Sequence, residues 1–408
     1  MNKSQEFARK IPGYLKSSWK HGSFIYIFVV MFVVYCCINT RINWGSIMNI
    51  FTHTAVVGTM AIGMGLIIIS GDIDLSVGSS FAFSGGLAML TYNAMVQSGV
   101  SAGVAFAVCI VITILIGAAV GFINGFMVGK MKIPAFIATL GTMLIFRSLC
   151  KFTLKEIPTS SGSGQQQTYQ VFDYANSPYY QLGNTKIPGI EVPIVAILLI
   201  VFIIAAWLFV KYTKFGRKIY ALGSNQKAAS LAGINVPWTK TIIFTVAGGL
   251  VGLAAVLHTS IYGSMDSSTA GLSYELYAIA SCIIGGIAMT GGKGNIIGIL
   301  FGALAFQIVD KIISVLGLNP LINDTIKGAI LLLAVMLQLI QGSTLAEMGA
   351  RIKSWFMPKK VKLAGEAQET ETTVADPYAD EKIEKLNSLK KEGLITEEEY
   401  NEEISKLK

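Results

Sequence analysis

Long apolar runs separated by short polar breaks recur from residue 23 to residue 341. A helix rising 1.5 Å per residue needs about 20 such residues to cross a hydrocarbon core of roughly 30 Å. Ten runs are of that order: 23–40, 47–70, 76–97, 103–129, 134–153, 192–211, 240–261, 271–290, 294–316 and 322–341. The pattern predicts an all-α polytopic membrane protein with about ten transmembrane helices. Several faces are lined with small residues: Gly117, Gly121, Gly125 and Gly129 recur every fourth position, and Gly58, Gly63 and Gly65 crowd the second run. In lipid such faces let helix backbones approach closely, so they read as packing surfaces.

Charge orients the bundle. Residues 1–22 carry Lys3, Arg9, Lys10, Lys16 and Lys20 against Glu6, and the 211–240 loop carries six basic residues and no acidic one. Short basic loops stay on the cytoplasmic side, which places 1–22, 211–240 and, after ten crossings, the C-terminus in the cytoplasm. Lys130, Lys132 and Lys293 fall in loops on that same side, while 154–191 falls outside as a long polar surface loop. Charged residues make up only 14% of the chain, against about 25% in soluble domains. The net charge of +8 is accounted for by basic loops beside anionic lipid, with no need for nucleic acid.

Within 211–240, local chemistry predicts a helix of about two turns. Ser224 or Asn225 can cap its start, 226–232 are mostly good helix formers, and Gly233 stands at its end with Pro237 beyond. Ala228, Ala229 and Gly233 leave one side without bulk, suited to docking in a groove of another protein; an ordinary capped connector has the same signature.

Polar residues inside apolar runs are the candidates for a pathway. GDIDLSVG at 71–78 brings Asp72, Asp74 and Ser76 between two spans, and a lone carboxylate at mid-bilayer costs roughly 2.5–3.5 kcal/mol. The segment reads as a broken polar stretch beside a pathway, or as a buried turn whose acids cap the third span. Asn124 and Glu275 suit either a pore lining or a hydrogen bond to a neighbouring helix, and Asp310 with Lys327 suits an interhelical pair. No phosphate-binding loop is present, since GGKGN at 291–295 lacks both the spacing and the hydroxyl. The three histidines, His21, His53 and His258, are scattered, and the five cysteines have no metal-like spacing. No catalytic group, metal site or cofactor of this chain's own is expected.

Beyond residue 345 the composition changes. Residues 346–380 form a linker, its 364–380 part strongly polar, and 381–408 read as a small helical hairpin. Ile383, Leu386 and Leu389 form one face, Thr396 with Glu399 a capping box, and Tyr400, Ile404 and Leu407 a second face. A hairpin this small is expected to pair with a copy of itself or another protein.

Four motifs in order, GDIDLSVG at 71–78, GFINGFMVGKMKIPAFIATLGTMLIFRSL at 121–149, GRKIYALGSNQKAASLAGINV at 216–236 and YELYAIASCIIGGIAMTGGKGNIIGILFGA at 274–303, resemble the ribose/galactose-type permeases of bacterial ATP-binding-cassette importers. The resemblance covers about residues 20–345. STAGLSYELYAIASC and IPAFIATLGTM are most similar to the galactose/methyl-galactoside branch. It implies a homodimer in the bacterial plasma membrane, a separate cytoplasmic ATPase that binds ATP and magnesium, and an external sugar-binding protein. It also implies that Gly223, Asn225, Ala228, Ala229 and Gly233 couple to the ATPase. An ion-coupled sugar transporter using Asp72, Asp74 or Glu275, and a membrane scaffold displaying the hairpin, are the alternatives from other classes.

Overall fold

The computed structural model describes residues 24–154, 168–317, 322, 325–332, 336 and 396. Apart from Thr396, these lie in the first of two units, Met1–Leu345 and Ala346–Lys408. The C-terminal hairpin, the 346–380 linker and residues 1–22 therefore lie outside the described residues or almost entirely so.

In chain order the helices are α1 (Phe24–Ile38), α2 (Trp44–Ile69), α3 (Val77–Gln97), α4 (Ala102–Gly129), α5 (Ala135–Leu154), α6 (Pro178–Asn184), α7 (Ile194–Tyr212), α8 (Lys214–Ser224), α9 (Gln226–Leu231), α10 (Val236–Tyr262), α11 (Tyr274–Ile284) and α12 (Ile296–Val315). A further helical stretch covers 325–332. The chain is not purely helical. Strands β1 (Thr168–Gln170) and β2 (Ser264–Asp266) pair antiparallel, with Tyr169 opposite Met265.

The expectation of ten crossing helices is confirmed only in part. Among the described residues six helices, α2, α4, α5, α7, α10 and α12, are long and apolar enough to cross a membrane. The expected span 271–290 contains only the 11 residues of α11, about 16 Å of helix. Apolar composition is not enough there. Ser273 precedes the helix at φ 62°, and Gly286, Gly291, Gly292 and Gly294 all take positive φ after it, so the backbone turns where a continuous helix would cross.

Among the described helices the most extensive contact is that of the α4–α10 pair. A Cβ on Gly121 would lie 2.1 Å from the Phe244 carbonyl oxygen, and one on Gly248 would lie 2.2 Å from that of Gly117. Only glycine permits this approach, which accounts for the four-residue glycine repeat. α2 packs beside them, with Ala55, Met60, Ile67 and Ile69 fully buried.

The loop expected as a solvated surface is partly folded into the bundle. Asn93 of α3 donates to the Tyr169 hydroxyl and the Gln170 carbonyl and accepts from Phe172 N–H. Tyr179 is buried, edge-on to Tyr92 and Phe106. The tyrosines that make 154–191 look polar supply apolar rings, and so this part of the loop packs inward.

Candidate functional site

Three places in the described chain gather the polar chemistry. The first is the basic end, formed by 211–240. Thr213 caps α8 by accepting from Gly216 N–H, and Asn225 caps α9 by accepting from Ala228 N–H at 3.0 Å. Asn225, not Ser224, is the cap, and Gly233 follows at φ +82°. α9 protrudes: Ala228 and Gly233 are exposed, and Leu231 is 91% exposed. Ala229, expected on the same outer face, is buried instead, because it is the α9 residue turned toward the bundle. Leu231 was not singled out by sequence, where it reads as an ordinary apolar residue of a short helix.

α8, which sequence reasoning did not separate from the loop, connects this protrusion to the bundle. Gly223 sits against the end of α2 and the turn before α12. A Cβ there would lie 1.8 Å from the Ile69 carbonyl oxygen and 2.4 Å from Gly292 N. That same Gly292 N–H donates to the Ile69 carbonyl at 2.8 Å. Tyr220 donates its hydroxyl to the Gly294 carbonyl at 2.8 Å, and burial raises its phenol above the usual tyrosine range. Three segments distant in sequence thus meet backbone to backbone beneath α9.

The second place is the break between α2 and α3. Residues 70–76 leave the Gly223 junction, and 267–273 leave β2 at the opposite end of α10. The two meet where Gly78 and Gly271 pack, each leaving no room for a Cβ beside the other's carbonyl oxygen. Asp72 is paired with Lys240 at 2.7 Å. Asp74 accepts from Ser76 N–H and Ser76 Oγ, Asn124 donates to Ser76 Oγ at 2.7 Å, and Thr142 donates to Asn124 Oδ1 at 2.8 Å. All four of these residues are buried.

Asp74 therefore turns onto Ser76, the residue before the helix, instead of onto an N–H inside α3. Ser76, expected as an alternative cap, makes no side-chain capping bond either. The hydrogen-bonding groups of Asp74, Ser76 and Asn124 are directed at one another, while Glu275 lies in the first turn of α11 against Gly78. Thr142 completes the chain and was missed by sequence, since a hydroxyl in an apolar helix gives no sign of its partner. Arg147 fastens 267–273 to α5 by donating to the Ala270 carbonyl at 2.6 Å.

The third place was not legible in the sequence. A cavity of about 230 Å³ is walled by His53 of α2, Tyr262 of α10, Tyr274 of α11, Gln307 and Asp310 of α12, and Lys327. Asp310 and Lys327 form the expected interhelical pair at 2.7 Å. Lys327 also lies over the Tyr277 ring, 4.0 Å from its centroid. His53 Nδ1 is 2.8 Å from the Tyr262 hydroxyl, and the His258 ring lies 4.5 Å from the Tyr262 ring. Two histidines scattered in sequence thus converge on one tyrosine. Among the described residues, no three His, Cys, Asp or Glu side chains gather as a metal site.

Comparison with known proteins places this geometry in a family. Residues 46–335 match the family model described as "Branched-chain amino acid transport system / permease component". The chain is 36% identical to the ribose import permease of Bacillus subtilis over 318 residues, covering 78% of this chain and 92% of that protein. It is 34% identical to the ribose import permease of Escherichia coli K12, covering 79% and 95%. It is 27% identical to the galactose/methyl galactoside import permease of Haemophilus influenzae, covering 72% and 87%. The resemblance is thus stronger to these ribose permeases than to that galactose permease, the reverse of the expectation from STAGLSYELYAIASC and IPAFIATLGTM. No solved structure matches. Six apolar membrane-length helices and the match to import permeases identify a multi-pass transport subunit of the bacterial inner membrane rather than an enzyme. The chain belongs to the permease family of bacterial ATP-binding-cassette importers that includes the ribose, galactose and xylose permeases.

Proposed function

We propose that this chain forms the membrane pathway of an importer for a monosaccharide, with ribose the first candidate and galactose the second. The observation that carries the reading is identity of 34–36% over more than nine-tenths of the length of ribose import permeases. Two copies of the chain would work with a separate ATPase, which binds the ATP and magnesium, and with an external sugar-binding protein. Nothing in the reading asks this chain to hydrolyse anything.

The basic charge of 211–240 puts α9 on the cytoplasmic side. Its exposed Ala228, Leu231 and Gly233 suit a groove on the ATPase, with Leu231 as the apolar contact. Gly223 packs against the Ile69 carbonyl and Gly292 N, and its part is to pass a displacement of α9 through α8 to the ends of α2 and α12. Sugar loading, docking and ATP binding then favour one of two arrangements of the broken segments 70–76 and 267–273. Asp72, Asp74, Ser76 and Asn124 hold the first of these segments in place.

The test is uptake of labelled ribose and labelled galactose by proteoliposomes containing the permease, its ATPase and its binding protein. ATP-dependent ribose uptake is expected, and Ala228→Trp, at an exposed helical position of α9, should abolish uptake while leaving the permease folded. Sugar accumulation by the permease alone under a pH gradient would replace this reading with an ion-coupled transporter.

A further inference from the structure

The structure points to a binding site for a polyhydroxylated solute inside each subunit, and we propose that the cavity bounded by His53, Tyr262, Tyr274, Gln307, Asp310 and Lys327 holds the sugar ring during passage. This rests on the reading above that the cargo is a monosaccharide.

Three features of the cavity carry the assignment. Its size is that of a small solute: about 230 Å³ corresponds to seven or eight waters at about 30 Å³ each, below the roughly 300–1,000 Å³ of drug-sized pockets. Its chemistry is divided as a sugar is divided. Tyr262, Tyr274 and Tyr277 supply aromatic faces for the C–H side of a ring. His53, Gln307, Asp310 and Lys327 supply donors and acceptors for hydroxyls around its edge. Gln307 has no hydrogen-bond partner among the described residues, although it stands within a helix at membrane depth. Its amide can both donate to and accept from an entering hydroxyl.

The third feature is its connection to the surface and to the moving parts. Tyr262 lines the cavity and is itself half exposed. One wall, α11, begins at the end of the broken segment 267–273, and another, α12, begins just after the turn that packs on Gly223. A shift of the basic end therefore changes the separation of the walls. The Asp310–Lys327 pair provides the charge without leaving either ion alone in the membrane, at 2.7 Å and with the ammonium over Tyr277. A neutral cargo can then displace water from a polar wall without separating charges.

The experiment uses the assembled importer in proteoliposomes, with D-ribose as probe and ATP hydrolysis measured beside uptake. Gln307→Leu and Tyr274→Phe remove hydrogen-bonding groups at nearly constant volume. Each is expected to lower ribose uptake at subsaturating sugar by about three- to tenfold, as loss of one net hydrogen bond would. ATP hydrolysis stimulated by the loaded binding protein should stay within about twofold of the unsubstituted importer. Gln307→Trp, which fills the space, should abolish uptake. Unchanged uptake in all three variants would overturn the cavity as a sugar site. Parallel loss of uptake and ATP hydrolysis in both conservative variants would overturn it too, marking these residues as scaffold. An unsubstituted importer that moves neither ribose nor galactose would instead sink the monosaccharide reading itself.

Discussion

The Asp72 carboxylate and the Lys240 ammonium meet at 2.7 Å although 168 residues of chain separate them, and both side chains are at most one-tenth exposed. The pair joins the unwound segment after α2 to the first turns of α10, directly above the basic loop. Its position, more than its energy, explains it: a buried ion pair adds little net stability, yet it fixes register, because either charge alone is costly.

Removing one partner should therefore be far worse than removing both. Asp72→Leu or Lys240→Met is expected to cost about 3–5 kcal/mol. The double substitution should cost clearly less than the sum. Thermal unfolding of the purified permease in detergent checks this, and additive losses would show that the two groups act independently.

The glycine junction makes a prediction that separates close packing from ordinary helix propensity. Gly223→Ala places a Cβ on the Ile69 carbonyl and should destabilise the protein by about 1–3 kcal/mol through overpacking. Gly141→Ala, on the α5 surface with nothing within 4 Å, should be neutral or stabilising by up to about 1 kcal/mol. If Gly223→Ala keeps full stability and full coupling of ATP hydrolysis to uptake, α8 is not the link between docking and the bundle.

Two buried polar positions, Asn124 and Thr139, should respond differently. Asn124 bridges Ser76, just before α3, to Thr142 of α5, whereas the Thr139 hydroxyl donates to the Ala135 carbonyl of its own helix. Asn124→Leu should cost about 1–3 kcal/mol by stranding its partners, and Thr139→Val less than about 1 kcal/mol. Equal losses in denaturant or thermal unfolding would remove Asn124 from its role as the bridge between α3 and α5.

What the sequence determined alone is whatever depends on neighbours along the chain. Apolar runs placed most helices to within a few residues, because lipid imposes a length and a hydropathy on each. Asn225, the 226–231 helix and Gly233 were legible because capping and positive φ are local requirements. The glycine repeat of α4 announced a close helix contact, though not that α10 would be the partner. Tertiary structure decided the rest. α11 is half a span because the glycines flanking it, Gly271 before and Gly292 after, turn the backbone against Gly78 and Ile69, a constraint that hydropathy does not contain. Tyr179 is buried and Ala229 faces inward because of what lies across from them. The cavity draws His53, Tyr262, Tyr274, Gln307, Asp310 and Lys327 from five separate helical stretches, of which only the Asp310–Lys327 pairing was legible in the sequence. Convergence of that kind is set by packing between distant segments, and no spacing along the chain encodes it.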